Sequence, residues 1–520
     1  MNIITAVILL INSASPYPVW QKVMGDAVRN ERLYGSAIGS HLFVIGSDSA
    51  KTLDMAVRKF DLEGELKATY TYDDDNHEIG KDIDIGENAN LYVVGHTLDS
   101  ALLIMKYDSS GKRLWDTEVM LHYGGHILYA SGGVYVAGWY DQPNPGEDLR
   151  LLRYDVEGNE LWRSYDISNG DQTPTGLAVS SDHSIYISCR YPFLWCAWRI
   201  DGDPRGIVPT YIKDDARAEG ITLNSIDQVF VCGDRGAEQR SFILIKTDTL
   251  GNFLWPDTAK SYNLGGDEHC TDIKLDAISD CYLAGWQQRG EEEDLVLVKT
   301  DSLGSLLWAW VDTLPGKQEI EAIEIDPQGY LYLAGSTQSG TDWDALVMKV
   351  RQPLTVSGIV KDSTGTPMKG FALTVSGDTS LEITTGSDGS YSIELYNGGD
   401  YTLRPKQSGW SFEPAQRSYS PLAHRMINQD FLNGRWTCVE EQTSSPSPSL
   451  DVSGSFIRYT LGKESQGTLA VFDPLGRKVA SFTIKGSGRL DLASLLSSGV
   501  YFVRLETNSE NVAKKLIILK

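Results

Sequence analysis

Short runs in which every second residue is apolar recur along this chain from about residue 30 to about residue 350, each broken by glycine, aspartate or asparagine. Alternation at period two predicts strands with one buried face, and no stretch between them carries the wider spacing of an amphipathic helix. The segments DIDIGENANLYVVGHT, IKLDAISDCYLAGW and IEIDPQGYLYLAGS follow one plan: a short alternating strand, a polar turn, then a second strand that ends at a glycine. Those terminal glycines are Gly46, Gly95, Gly138, Gly233, Gly285 and Gly335, with Ser188 in the fourth unit. A third strand such as SFILIKT or DLVLVKT comes next. It runs into a phrase of the form KTDSLGSLLW (299–308), which returns as KTDTLGNFLW at 246, RYDVEGNELW at 153, KYDSSGKRLW at 106 and KFDLEGELKA at 59. Aspartate followed three residues later by glycine is the signature of a type I turn, so the phrase predicts a hairpin whose LW opens a fourth strand.

The basic residue of that phrase measures the period. Lys59, Lys106, Arg153, Arg199, Lys246, Lys299 and Lys349 are spaced by 47, 47, 46, 47, 53 and 50 residues, giving seven units. Four antiparallel strands repeated seven times without helices predict an all-β, seven-bladed β-propeller. After Lys349 the expected turn and LW strand are missing, whereas YPVWQKV at 17–23 supplies a VW strand with nothing before it. Residues around Val19 to Val23 are therefore expected to complete the last unit and close the ring, removing exposed sheet edges. Trp20, Trp115, Trp162, Trp255 and Trp308 recur at one position per unit and are expected to fill the wedges between blades. The recurring Lys or Arg reads as a solvated strand end.

The period stops near Leu354, and the sequence divides into a signal peptide (1–15), the propeller (16–352), a second module (353–434), a Ser/Pro linker (435–451) and a terminal module (452–520). The apolar run Ile3 to Ile11 has the length of a signal-peptide core and is too short to span a bilayer, although the basic residue normally found before such a run is missing. Both later modules read as small β-sandwiches. TCVEEQTSSPSPSL between them has linker composition.

Three resemblances follow from these motifs. The units are similar to the repeats of secreted bacterial propellers, on KTDSLGSLLW and GYLYLAG (329–335). The second module resembles carboxypeptidase-regulatory-like, Ig-like domains, with G-x-V-x-D-x-x-G-x-P-x-x-G at Gly358 to Gly370 and D-G-x-Y at Asp388 to Tyr391. That resemblance implies a spacer. The terminal module resembles the C-terminal sorting domain of the type IX secretion system, on Val471 to Val479, Leu492 to Val503 and Lys514 to Leu519. It implies passage across an outer membrane, with the secretion machinery as a partner and a secreted or cell-surface location.

Charge narrows the partners further. A formal net charge of −24 disfavours nucleic acid and anionic lipid. Six cysteines include no C-x-x-C, and Cys189 and Cys196 are the nearest pair that could bridge. His122 and His126 in HYGGH lack the glutamate and the helix of a zinc motif, so no metal site is read there. Acids just ahead of the innermost strands, namely Asp74, Glu78, Asp215, Glu219, Asp267, Glu268 and Glu319, are expected to gather at one mouth of the channel as a negative rim. Such a rim would suit a basic partner or a cation such as calcium, although no segment has calcium-loop spacing and no cofactor is expected. The sequence thus reads as a non-catalytic platform for a protein or polysaccharide. The alternative is a polysaccharide-processing enzyme that uses the channel-mouth carboxylates as acid and base.

Overall fold

A computed structural model describes residues 14–25, 30–49, 53–73, 77–97, 101–120, 122–141, 147–164, 173–190, 194–198, 216–236, 239–313, 316–406, 409–436, 448–461, 466–507 and 511–518. The leader (1–13), most of the Ser/Pro linker and Cys438 lie outside them, as do the side chains of His122 and Cys196. Among the described residues, no helix is long and apolar enough to cross a membrane.

Among the described residues, 17–351 form six sheets, and the eight-stranded one divides into two groups of four strands; we number the seven successive groups as blades in chain order. Their innermost strands are Glu31–Ile38, Glu78–Ile85, His122–Ala130, Pro174–Val179, Ala216–Leu223, Asp267–Leu275 and Lys317–Ile325. Each packs against the next and the last packs against the first, so the sheets close a circle around a channel. Blade 4 has three described strands, and blades 6 and 7 are joined by one bridge between Glu293 and Lys317. The fourth strand of blade 7 is Tyr17–Met24, which lies antiparallel to Asp342–Arg351 with Trp20 opposite Lys349 and Val23 opposite Leu346. Closure by the start of the chain is therefore the observed topology, as the orphan VW strand predicts.

The D-x-x-G phrase behaves as its residues require. Asp61, Asp108, Asp155, Asp248 and Asp301 each accept two backbone N–H bonds through Oδ1. The glycine that follows takes positive φ, 90° at Gly64 and 78° at Gly304. Trp20, Trp115 and Trp255 pack on the turn of the neighbouring blade. Trp20 and Trp115 donate their indole N–H to Leu62 O and Val156 O, and each ring lies over that turn's glycine, Gly64 or Gly158. The recurring lysine is not a solvated strand end. Lys106, Lys246 and Lys349 reach across the blade boundary to Val156 O, Ser302 O and Leu62 O at 2.7, 3.0 and 3.0 Å. Their ammonium groups lie over the rings of Tyr92, Phe230 and Tyr330, so a chain that looks free in sequence is held by a turn it does not neighbour.

Lys299 is the informative exception. Its neighbour, blade 7, has no D-x-x-G turn because its fourth strand comes from the other end of the chain. Lys299 instead donates to Gln352 Oε1 at 3.2 Å and lies 3.7 Å from Asp280, with both charged groups buried. Arg425 of the Ig-like module places its Nε 2.7 Å from Asp280. Around them, Gln352 donates to Tyr282 Oη and Gly329 O, and Asn397 bonds the Gln352 N–H and Gln328 O. Burial pushes Asp280 up to about 6 and Lys299 down to about 8. The Ig-like module is thus seated on the turn end of blades 6 and 7 by a buried polar cluster.

That module is a two-sheet sandwich, Ser390–Tyr396, Pro353–Asp362, Phe431–Trp436 and Trp410–Glu413 facing Leu381–Thr384, Ala372–Gly377, Tyr401–Pro405 and Arg417–Tyr419. The terminal module, a separate compact unit, also has two sheets, built around Leu450, Ile457, Val471, Val503, Leu505 and Leu516.

Candidate channel-mouth site

At the end of the blades opposite the D-x-x-G turns, every innermost strand carries a β-bulge. Leu33 and Gly35 pair with Gly46 and Ile45, which leaves Tyr34 unmatched, and the same slip leaves Lys81, Thr175, Glu219, Thr271 and Glu321 unmatched in blades 2, 4, 5, 6 and 7. In blade 3, Gly124 and Gly125 face Gly138 alone. A bulge bends its strand and re-aims the extra side chain. Here that side chain turns towards the channel, and Tyr34, Lys81, Gly125, Thr175, Glu219, Thr271 and Glu321 all line one cavity of about 610 Å³.

The repeat's terminal glycine makes this geometry possible. A Cβ would sit 1.8 Å from Arg32 O at Gly46, 1.8 Å from Arg217 O at Gly233 and 2.0 Å from Glu319 O at Gly335, because the bulged strand approaches that closely. Blade 4 corrects the sequence alignment. Cys189, not Ser188, takes the glycine's register, opposite Pro174, and Ser188 pairs with Gly176 while accepting a hydrogen bond from Thr175.

A second tier surrounds the ring. Trp139, Arg190, Asp234 and Trp286 lie at the ends of second strands, and His126, Arg217, Arg240 and His269 on or beside the others. Trp286 stacks on His269 with ring centroids 3.9 Å apart and planes 12° apart. Arg240 places Nη1 3.0 Å from His269 Nδ1 and Nε 3.5 Å from Asp267. Burial, with Arg240 beside it, brings His269 down to about 4, so the ring is neutral and accepts from the guanidinium. Arg190 holds Glu219 through two bonds of 2.9 and 2.6 Å. Lys81 lies over the Tyr34 ring at 4.1 Å.

The acids read from the sequence distribute differently from an open rim. Glu219 lines the cavity, paired with Arg190. Glu268 is fully buried and accepts from the backbone N–H groups of Leu264 and Gly266, which makes it a loop brace. Glu78 is also fully buried. Asp267 accepts from the Arg240 backbone N–H, and Glu319 pairs with Arg32 at 3.0 Å, both outside the cavity lining. Asp74 and Asp215 lie outside the described residues. Loop acids that fold back on backbone amides and arginines cannot form a free negative surface.

Two other carboxyls enter instead. Asp234 is 2% exposed, lines the cavity, and its Oδ1 has no hydrogen-bond partner among the described residues. Burial pushes it up to about 7, with Glu219 adding to the rise against the pull of Arg240, Arg217 and Arg190. Burial and then Glu319 push Glu321 up to about 7 as well. Neither was singled out by sequence reasoning. The signal that finds Glu321 is its place immediately before the inner strand's apolar pair; for Asp234 it is the residue after the terminal glycine.

Two family models match parts of the chain. Residues 355–419 match the family of carboxypeptidase regulatory-like domains, and residues 446–519 match the secretion system C-terminal sorting domain. None of the curated proteins matches the chain. Among solved structures, a virginiamycin B lyase from Staphylococcus aureus is 14% identical with a TM-score of 0.44, over 64% of this chain and 98% of its own. The extracellular domain of a hybrid two-component system from B. thetaiotaomicron is 9% identical with a TM-score of 0.42, over 94% of this chain and 55% of its own. YCF48 bound to D1 peptide is 11% identical with a TM-score of 0.42, over 65% of this chain and 96% of its own. Its own sheets and the first of these family matches make the chain an all-β propeller protein with an Ig-like domain. Its sorting domain makes it a secreted or outer-surface protein handled by type IX secretion.

Proposed function

We propose that the propeller is a non-catalytic platform that binds a protein or polysaccharide outside the cell through the channel-mouth cavity. One observation carries this reading: a cavity of about 610 Å³, inside the range of small-ligand sites, opens at the bulge end of the blades while the Ig-like module occupies the turn end. The module that follows the propeller therefore leaves the cavity unobstructed. The second reading, a polysaccharide-processing enzyme, gains from Asp234 and Glu321, since a carboxyl that titrates near 7 can serve as a general acid. Incubating the full chain with a glycan and protein panel, with product analysis beside binding, separates the two. Ligand recovered intact, with binding lost on Trp286→Ala, supports the platform. Turnover abolished by Asp234→Asn or Glu321→Gln overturns it.

A further inference from the structure

The chain's net charge hides an opposite one at its end. Residues 452–520 carry 10 basic against 5 acidic side chains, whereas the other 451 residues carry 36 against 65. In 0.1 M salt a charge is felt over about 10 Å, so a surface that approaches the terminal module meets that module's own charge and not the chain's total. The described acids of the module are already engaged. Asp473 accepts from the backbone N–H groups of Leu475 and Arg477 and from the Arg477 guanidinium, Asp491 accepts from the Ala493 N–H, and Glu506 pairs with Arg504. Lys478, Lys514 and Lys515 are exposed and have no ion pair among the described residues.

The four-stranded sheet of this module, Lys478–Lys485, Gln466–Phe472, Gly499–Glu506 and Asn511–Ile518, buries Leu469, Val471, Val503 and Leu516 on one face. On the other, one row crosses all four strands as Lys478, Phe472, Phe502 and Lys515, two rings between two ammonium groups. Ile517 follows on the last strand, and Arg504 lies over the Phe472 ring at 5.0 Å. The hairpin turn Asp473 to Gly476 projects from this end of the sheet: Leu475 is 78% exposed, and a Cβ at Gly476 would meet nothing within 4 Å. Phe502 and Ile517 are each 46% exposed.

We propose that this tip, Leu475, Phe502 and Ile517 with Lys478 and Lys515, docks on an anionic lipid surface. An exposed apolar tip flanked by basic side chains suits a headgroup layer, where the apolar groups enter and the lysines stay level with the phosphates. A protein partner is a poorer match, because protein interfaces are depleted in lysine at their centres and seat their anchors in pockets, whereas this tip projects between lysines. The module's family match places the chain at an outer surface, so a lipid face is present where it works. The proposal is independent of the channel-mouth platform.

The test is co-sedimentation of the full chain with vesicles of phosphatidylcholine alone and of phosphatidylcholine with phosphatidylglycerol, at low and high salt. The mixed vesicles are expected to bind the chain, less so at high salt, and the neutral ones to leave it in solution. Lys478→Gln and Lys515→Gln are each expected to weaken binding about fivefold. Leu475→Ser is expected to weaken it about tenfold. All three side chains are exposed, and unchanged melting temperatures show that the variants fold. Equal binding to the neutral vesicles, binding to neither, or binding that all three variants retain overturns the proposal. Polyglutamate held through the same lysines, with both kinds of vesicle ignored, overturns it in favour of an acidic protein. None of these variants touches the channel mouth, so failure here leaves the platform reading standing.

Discussion

At the turn end of the blades, Lys106, Lys246 and Lys349 each donate to a carbonyl in the next blade's turn, whereas at the bulge end the seven equivalent positions hold Tyr34, Lys81, Gly125, Thr175, Glu219, Thr271 and Glu321. The same strands run between the two ends. One end faces an identical task in every blade, gripping its neighbour, and sequence repetition follows. The other end shares only the bulge, and the side chain that the bulge aims is free to differ from blade to blade. Repetition therefore marks what holds the ring, and its breakdown marks where a ligand can be distinguished.

The sharpest way to break this contrast is at the repeated end. Trp115→Ala removes a ring packed on Gly158 and the bond to Val156 O, and is expected to cost about 3 kcal/mol in denaturant unfolding while leaving ligand affinity unchanged in the folded fraction. A loss of affinity as large as the loss of stability would show that the two ends are not separable.

Next in size is the exception, Lys299. Arg425→Ala leaves Asp280 buried with only Lys299 at 3.7 Å to balance it, and is expected to cost about 2 to 3 kcal/mol. Limited proteolysis should then cut near Gln352, where the native chain resists. Unaltered protease resistance would mean that the polar cluster does not seat the Ig-like module.

How far the sequence revealed these features follows from the same contrast. The period of the basic residues, the D-x-x-G turns and the orphan strand at Trp20 were legible because each is repeated or conspicuously missing from a repeat. The partner of each lysine was not legible, since a turn about 50 residues away leaves no local mark. The bulge also escaped notice, because it is one unpaired residue that leaves the apolar alternation on either side intact. Acids in the preceding loops drew attention by number, yet Glu268 and Asp267 are spent on backbone amides. Among the described acids, Glu219, which itself occupies a bulge position, was the one both singled out and placed in the cavity.

A smaller effect sharpens the bulge end. Asp234, facing Glu219, Arg190, Arg217 and Arg240, and Glu321, facing Glu319, Lys81, Arg32 and Glu219, both titrate at about 7. Both hold protons that the unfolded chain releases at about pH 4, so stability in denaturant unfolding is expected to fall as pH rises from 6 to 8, and Asp234→Asn should flatten that slope. Stability that rises across that interval would contradict the burial of these carboxyls.

Amide hydrogen exchange of the full chain with and without a ligand taken from the glycan and protein panel tests the central claim most directly. The account predicts added protection in peptides that cover Tyr34, Lys81, Glu219, Arg240 and residues 267–271 and 319–321, with the D-x-x-G turns unchanged. Protection confined to those turns or to the Ig-like module would contradict it.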